Sequence, residues 1–182
     1  MKIGIIVGSI REGRKGLAVG QWVAERAGRH GDAQFELIDL KEFDLPLLTS
    51  AVLPAMADRK YDSQNVTRWS QAIDGCDAFV FVSPEYNHGV PGAFKNAFDS
   101  IGSEWNNKPV AFVAYGGDGG IRSIQQWRQI VANFEMLDVR GAVALSLFND
   151  FNADGFAPQD RRSAELDTAL QQLVSLTAKV RA

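Results

Sequence analysis

Five short apolar runs, each followed by residues with helical spacing, constrain this chain more than any other feature. The runs cover residues 3–7, 35–40, 78–82, 110–115 and 142–147. They recur about 30 residues or more apart, the length of a strand plus a crossover helix. Between them the apolar positions switch to a helical period. Val19, Trp22, Val23 and Ala27 share a face of a helix over about 17–29, and Val66, Trp69 and Ile73 mark a helix ending near Gly75. Val90, Ala93, Phe94, Ala97, Phe98 and Ile101 follow the spacing i, i+3, i+4, i+7, i+8, i+11, one face of a helix. Ile124, Trp127, Val131 and Phe134 mark a fourth helix, and Leu166, Ala169, Leu170, Leu173, Leu176 and Val180 a fifth. Strand–helix alternation of this kind predicts a parallel sheet covered by helices on both faces. Right-handed crossovers then make it doubly wound.

With five strands the expected order is 2-1-3-4-5, a flavodoxin-like three-layer sandwich spanning residues 1–182 as a single domain. The mixed pattern of 35–40 suits a strand near the edge. A hydrophobic content of 46% in 182 residues is enough to fill such a core. In this order a crevice opens between the carboxyl ends of strands one and three. Three loops meet there: 8–16, 83–92, and the one after strand four. Residues 41–62, with Pro46 and Pro54, have little periodicity beyond one short helical turn. A stretch that long is expected to be functional or to lie at an interface.

The first loop, Gly8-Ser9-Ile10-Arg11-Glu12-Gly13-Arg14-Lys15-Gly16, joins a buried strand to a helix N-terminus. Free backbone N–H groups and the helix dipole favour an anion at such a junction. Ser9 adds a hydroxyl and Arg11 a guanidinium fork that can grip a phosphate. It is neither a P-loop nor a dinucleotide fingerprint, since both the Gly-Lys-Ser/Thr ending and Gly-x-Gly-x-x-Gly are absent. The alternative is a glycine-rich βα turn with no ligand. In the second loop, Pro84 and Pro91 stiffen the backbone, Tyr86 can stack, and Asn87 can donate and accept. Glu85 is either a base beside the crevice or an acid that satisfies nearby N–H groups. The third loop, Tyr115-Gly116-Gly117-Asp118-Gly119-Gly120, brings bare backbone to the same edge.

The elements Gly8-Ser9-x-Arg11, Pro84-Glu85-Tyr86-Asn87, Lys95-Asn96-Ala97-x-Asp99 and Tyr115-Gly116-Gly117 resemble the NAD(P)H-dependent FMN reductase family, which includes quinone, chromate and azo-dye reductases. The resemblance runs from Lys2 to about Leu147. It implies that Ser9, Arg11 and the backbone of Gly16 and Leu17 hold the FMN phosphate. Pro84, Glu85, Tyr86, Asn87, Gly116 and Gly117 would line the isoalloxazine. Many members carry Ser-x-Asn after the arginine. Here that region reads Arg14-Lys15-Gly16-Leu17, so Arg14 or the Gly16–Leu17 backbone would replace the lost hydroxyl. The resemblance further implies a ping-pong cycle. Hydride passes from NADPH or NADH to flavin N5, with no catalytic acid or base, and then to a quinone, free flavin, azo or metal-oxyanion acceptor. It also implies a homodimer or homotetramer with flavin sites near subunit contacts. The alternative on the same fold is a flavodoxin-type FMN electron carrier without nicotinamide activity. A net charge of only -3 argues mildly against that carrier.

Other classes find little support. Lys and Arg are scattered, which speaks against nucleic acid. No apolar run approaches the ~20 residues that span a bilayer. One cysteine, Cys76, allows no intrachain disulfide and suits a cytoplasmic location. His30, His88 and Cys76 have no metal-ligand spacing. The stretch from Asp150 to Gly155 opens like a calcium loop, but Arg161 stands where the bidentate glutamate belongs. The tryptophans fit core packing, with Trp105 the one that could lie at a subunit contact.

Overall fold

The computed structural model describes residues 1–182. Strands β1 (Lys2–Val7), β2 (Gln34–Asp39), β3 (Ala78–Pro84), β4 (Pro109–Gly116) and β5 (Leu137–Ser146) alternate with helices α1 (Gly16–Ala27), α2 (Gln64–Asp74), α3 (Gly92–Asp99), α4 (Ile121–Val131) and α5 (Asp160–Val180). The five strands form one parallel sheet in the predicted order, β2-β1-β3-β4-β5.

Alternation along the strands divides their side chains between two layers. Ile6, Phe79, Phe81, Phe112 and Ala114 join α2, α3 and α4 in a cluster of 21 buried residues, while Ile3, Ile5, Val80, Val82, Val113 and Leu145 join α1 and α5 in one of 18. Clusters of similar size mean that water is excluded from both faces, which is why the central strands are apolar without a break. The α2–α4 layer takes the large aromatic rings, and the α1–α5 layer is mostly aliphatic.

Four details differ from the sequence reading. Strand β5 begins at Leu137, not at 142. Its register against β4 slips between Val110 and Phe112, and Gly141 in the bulge donates its N–H to Gln172 Oε1 at 2.8 Å. The bulge, with Asp138 and Arg140 turned to solvent, hides the first half of the strand from an apolar-run search. Trp105 is fully buried and stacks on Phe98 with ring centroids 4.8 Å apart, so it belongs to the core and not to a subunit contact. Residues 41–62 hold part of one 3₁₀ turn, Leu40–Phe43, and all of another, Pro54–Met56. The loop before α5 contains a two-stranded hairpin of β6 (Phe151–Asn152) and β7 (Gly155–Phe156).

Cys76 is buried, and burial pushes its thiol up to about 11, so it stays protonated and inert. No helix is long and apolar enough to cross a membrane.

Candidate functional site

The ends of β1, β3 and β4 bring the three loops together. Gly8 donates its N–H to Val82 O at 2.9 Å, and Glu85 donates to Tyr115 O at 2.8 Å, which carries the sheet ladder into the loops. Beyond Gly8 the first loop makes no such bonds. No backbone N–H from residue 9 to residue 18 donates to an acceptor in the chain. Helix α1 starts within this stretch, with no side-chain cap and no acidic residue in its first turn. Its orphan donors are therefore available to a ligand.

Ser9 is buried, and its hydroxyl lies 2.7 Å from the Tyr86 hydroxyl across the crevice. The Arg11 guanidinium sits over the Tyr86 ring, 5.6 Å from its centroid, and has no carboxylate partner. Arg14 is different. It holds both carboxylate oxygens of Asp39 at the end of β2 and donates to Ser9 O at 2.8 Å. The sequence reading offered Arg14 as a substitute phosphate ligand, but its fork is already filled by Asp39. Its place is to pin the first loop to β2. Gly16 is buried at the start of α1, and Leu17, half-buried, follows it.

The second loop is a tight hairpin. Tyr86 and Gly89 exchange backbone bonds of 3.0 Å, and Asn87 and His88 between them have φ of 50° and 65°. Two left-handed central residues mark a type I′ turn, and asparagine and histidine are among the non-glycine residues that most often take that conformation. Val90 N–H is anchored on Gln126 Oε1 at 2.9 Å. Glu85 points away from solvent, its side chain only 7% exposed. Its carboxylate accepts from the Arg122 N–H at 3.0 Å and from the Arg122 guanidinium at 2.9 Å. It thus satisfies the first turn of α4, and Asp118 holds the other side of Arg122 at 2.8 Å. Behind it, Ser83 Oγ accepts from Trp127 Nε1 at 2.9 Å and meets Ser123 Oγ at 3.0 Å. This couples the strand end to α4.

The third loop packs on the second. A Cβ placed on Gly116 would come within 3.0 Å of Glu85 Cβ. Gly120, with φ of 76°, precedes α4, and a Cβ there would stand 2.7 Å from the Tyr115 N. Gly120→Ala should lower stability by about 1–3 kcal/mol, from left-handed backbone strain plus a backbone contact that cannot yield. A thermal melt equal to wild type would show that the loop can rebuild. All ten residues singled out from the sequence therefore lie at one edge of the sheet. Ser9, Arg11 and Tyr86 are in direct contact, Pro84 pairs with Tyr115 across the sheet, and Asn87 lies at the exposed turn tip.

Sequence reasoning named Tyr115 only as the start of the third loop, and gave no role to its side chain, to Ser83 or to Arg122. For Tyr115 a signal existed: β-strand alternation puts it on the α1 side, with Val113. The potential calcium ligand Asp150 is occupied. Its carboxylate accepts from Arg162, from Ser146 N–H at 2.8 Å and from Gln159 N–H at 3.1 Å.

The sheet order and the crevice above β1 and β3 define a flavodoxin-like α/β protein. Among solved structures, FerB, described as a flavoenzyme NAD(P)H:(acceptor) oxidoreductase from Paracoccus denitrificans, superposes with a TM-score of 0.75, covering 98% of this chain and 97% of its own at 22% identity. The profile of the NADPH-dependent FMN reductase family matches residues 1–150, and the chain belongs to that family. An NAD(P)H-dependent FMN reductase of Schizosaccharomyces pombe is 36% identical over 149 residues, 82% of this chain and 74% of the relative. A quinone reductase of Pseudomonas putida is 30% identical over 135 residues, 68% of this chain and 67% of the relative. Membership makes this chain an oxidoreductase that works with FMN and a reduced nicotinamide nucleotide.

Proposed function

We propose that this chain is a single flavin-binding domain that passes electrons from NADPH or NADH to a small acceptor such as a quinone, in a ping-pong cycle. The observation that carries this reading is the unbroken run of free N–H groups from residue 9 to residue 18, with the unpaired Arg11 beside it. A dianionic phosphate matches that donor set. The residues present therefore fit FMN. Ser9, Arg11 and the Gly16 and Leu17 backbone would hold its phosphate. Pro84, Glu85, Tyr86 and Asn87 would line one side of the ring, and Gly116 and Gly117 the other.

When bound, the flavin supplies hydride acceptance from a nicotinamide and hydride return to the acceptor. The protein's part is binding, orientation and charge. The Arg14–Asp39 pair fixes the first loop before the ligand arrives, so little ordering remains to be done on binding. The Glu85–Arg122 contact keeps the Tyr86 hairpin against α4. Glu85 is engaged by two donors, so it is a positioning group and no proton transfer is assigned to it. Free N–H groups of the Gly117–Asp118 backbone can stabilise negative charge that develops on the ring edge.

Residues 47–56 leave Leu47, Leu53 and Met56 mostly exposed. That supports a homodimer or homotetramer in which this stretch is covered, as does the resemblance. A cytoplasmic location accords with a lone, buried, reduced cysteine.

The deciding experiment is the visible spectrum of purified protein with and without added FMN, followed by anaerobic titration with NADPH. A bound flavin band that bleaches on NADPH and recovers with a quinone is expected. Absence of flavin binding at micromolar FMN would overturn the reading. Arg11→Ala should weaken FMN binding by about 1.5–3 kcal/mol, the range for a hydrogen bond to a charged group. An unchanged dissociation constant would remove Arg11 from the phosphate site.

A further inference from the structure

The turn that ends β5 carries the most exposed large apolar side chain of the chain, Phe148, at 80%. A single exposed phenylalanine is ordinary on a protein surface, so exposure alone carries nothing. Its support and its position do. Each backbone N–H from Leu147 to Asp150 has an acceptor. Leu147 donates to Gly116 O at 2.9 Å, Phe148 to Ser146 Oγ at 3.2 Å, and Asn149 and Asp150 to Ser146 O at 3.2 and 2.8 Å. The Asp150 carboxylate accepts in return from the Ser146 N–H at 2.8 Å and is held from behind by Arg162 on α5. A backbone tied at every donor cannot swing the ring under cover without breaking those bonds.

The ring stands against the third loop. A Cβ on Gly117 would have one neighbour within 4 Å, Phe148 Cε2 at 3.8 Å, an ordinary contact distance. Gly117 is among the residues read above as lining the flavin ring, and its free N–H and that of Asp118 were assigned to the flavin edge. Phe148 stands beside those donors with its own ring uncovered, which leaves it for the molecule that enters after the flavin. Charge narrows what that molecule can be. Residues 115–121 and 144–155 contain no Lys or Arg. Arg122, next in the chain, is shared between Glu85 and Asp118, and the Asp118 side chain is 67% exposed. This rim offers an oxyanion no free cation and sets a carboxylate against it. A neutral flat ring meets no such penalty.

We propose, on the flavin reading given above, that Phe148 is a specificity-determining side chain for the electron acceptor. Its ring packs against the body of a neutral aromatic acceptor, a quinone, and favours it over anionic acceptors such as metal oxyanions. Offset or edge-on pairing of two rings contributes beyond the area it buries. The turn is already fixed, so little ordering is needed when the acceptor arrives.

The test compares Phe148→Ala, which removes the ring, with Phe148→Tyr, which keeps it. The ratio of kcat/KM for 2-methyl-1,4-naphthoquinone to kcat/KM for ferricyanide should fall about 3-fold to 10-fold in the alanine variant, through KM for the quinone, and stay near wild type in the tyrosine variant. A second reading needs no turnover. Titration of 2-naphthol, a ring with no quinone to reduce, into FMN-loaded wild type should give a saturable shift of the flavin band. Its dissociation constant should rise by the same factor in Phe148→Ala. An unchanged ratio, an unchanged 2-naphthol constant or no saturable shift in wild type would overturn the proposal. So would weaker FMN binding by Phe148→Ala, which would make the ring part of the flavin site. A smaller assembly on size exclusion with wild-type kinetics would make it a subunit contact instead. Failure of the wild type to bind FMN is a separate result, which would remove the flavin reading and this assignment with it.

Discussion

Arg162→Met should destabilise the protein by about 3–5 kcal/mol, the usual effect of stripping one partner from a buried ion pair. Arg162 and Asp150 have side chains only 8% and 0% exposed, and the guanidinium binds both carboxylate oxygens. Methionine fills much of the arginine volume but leaves a buried carboxylate with two N–H donors and no cation. Burial alone pushes the Asp150 carboxyl up. Arg162, with the Gln159 and Ser146 N–H groups, outweighs it and holds the folded value below the ordinary 3.8. A depressed carboxylate contributes stability that is complete above the unfolded value and fades as pH falls through the folded one. Wild type should therefore lose stability below about pH 4. In the variant the cation is gone and burial dominates, so the carboxyl gains a proton more easily folded than unfolded. Its deficit should shrink as pH drops from 7.5 toward 5. Urea melts across that range check both arms, and a deficit independent of pH would show that lost packing, not the stranded charge, is responsible. The contact matters for function because Asp150 also takes the Ser146 N–H, fixing the end of β5 next to the third loop.

That contact shows where sequence reading stops. The strand–helix alternation made the sheet order legible, since the apolar runs at 3–7 and 78–82 belong to strands with both faces covered. The converging loops followed from that order. What pins them did not, because the partners are far apart in sequence and of ordinary type. Arg14 reads as a loop cation until Asp39, at the end of β2, is seen to occupy it. The sequence set Asp150 aside as a calcium ligand because of Arg161, but did not show that Arg162 on α5 holds its carboxylate. Tyr115 was legible as the last large residue of a strand, but the reach of its hydroxyl to the start of α1 depends on Gly16, which lies in another loop. Strand β5 lost its first half for a local reason, a bulge that breaks the apolar period.

Phe81→Ala should be the most damaging single change in the core, at about 3–5 kcal/mol or the upper part of that range. The ring is fully buried in the middle of β3. Its centroid lies 4.9 Å from Phe94, 5.2 Å from Trp127, 5.9 Å from Trp105 and 5.9 Å from Phe112. These neighbours belong to different elements, so no single one can collapse into the space without leaving another void. Tilted and edge-on pairs add to what area burial alone contributes. A loss of this size is a large fraction of a typical net stability of ~5–15 kcal/mol. The midpoint of urea unfolding should fall with little change in slope. Phe81→Leu, which restores part of the volume, should lie between alanine and wild type. The defect should also reach the site, because Trp127 both touches Phe81 and donates to Ser83 Oγ. If Trp127 tilts into the cavity, it pulls on the strand end that carries Glu85 and Tyr86, and FMN affinity falls in the folded variant. A small apolar molecule such as benzene, bound in the cavity, should recover part of both losses. If FMN affinity is unchanged while stability drops, the Ser83–Trp127 bond does not transmit core packing to the crevice, and the loops hold their shape through Arg14–Asp39 and Glu85–Arg122 alone.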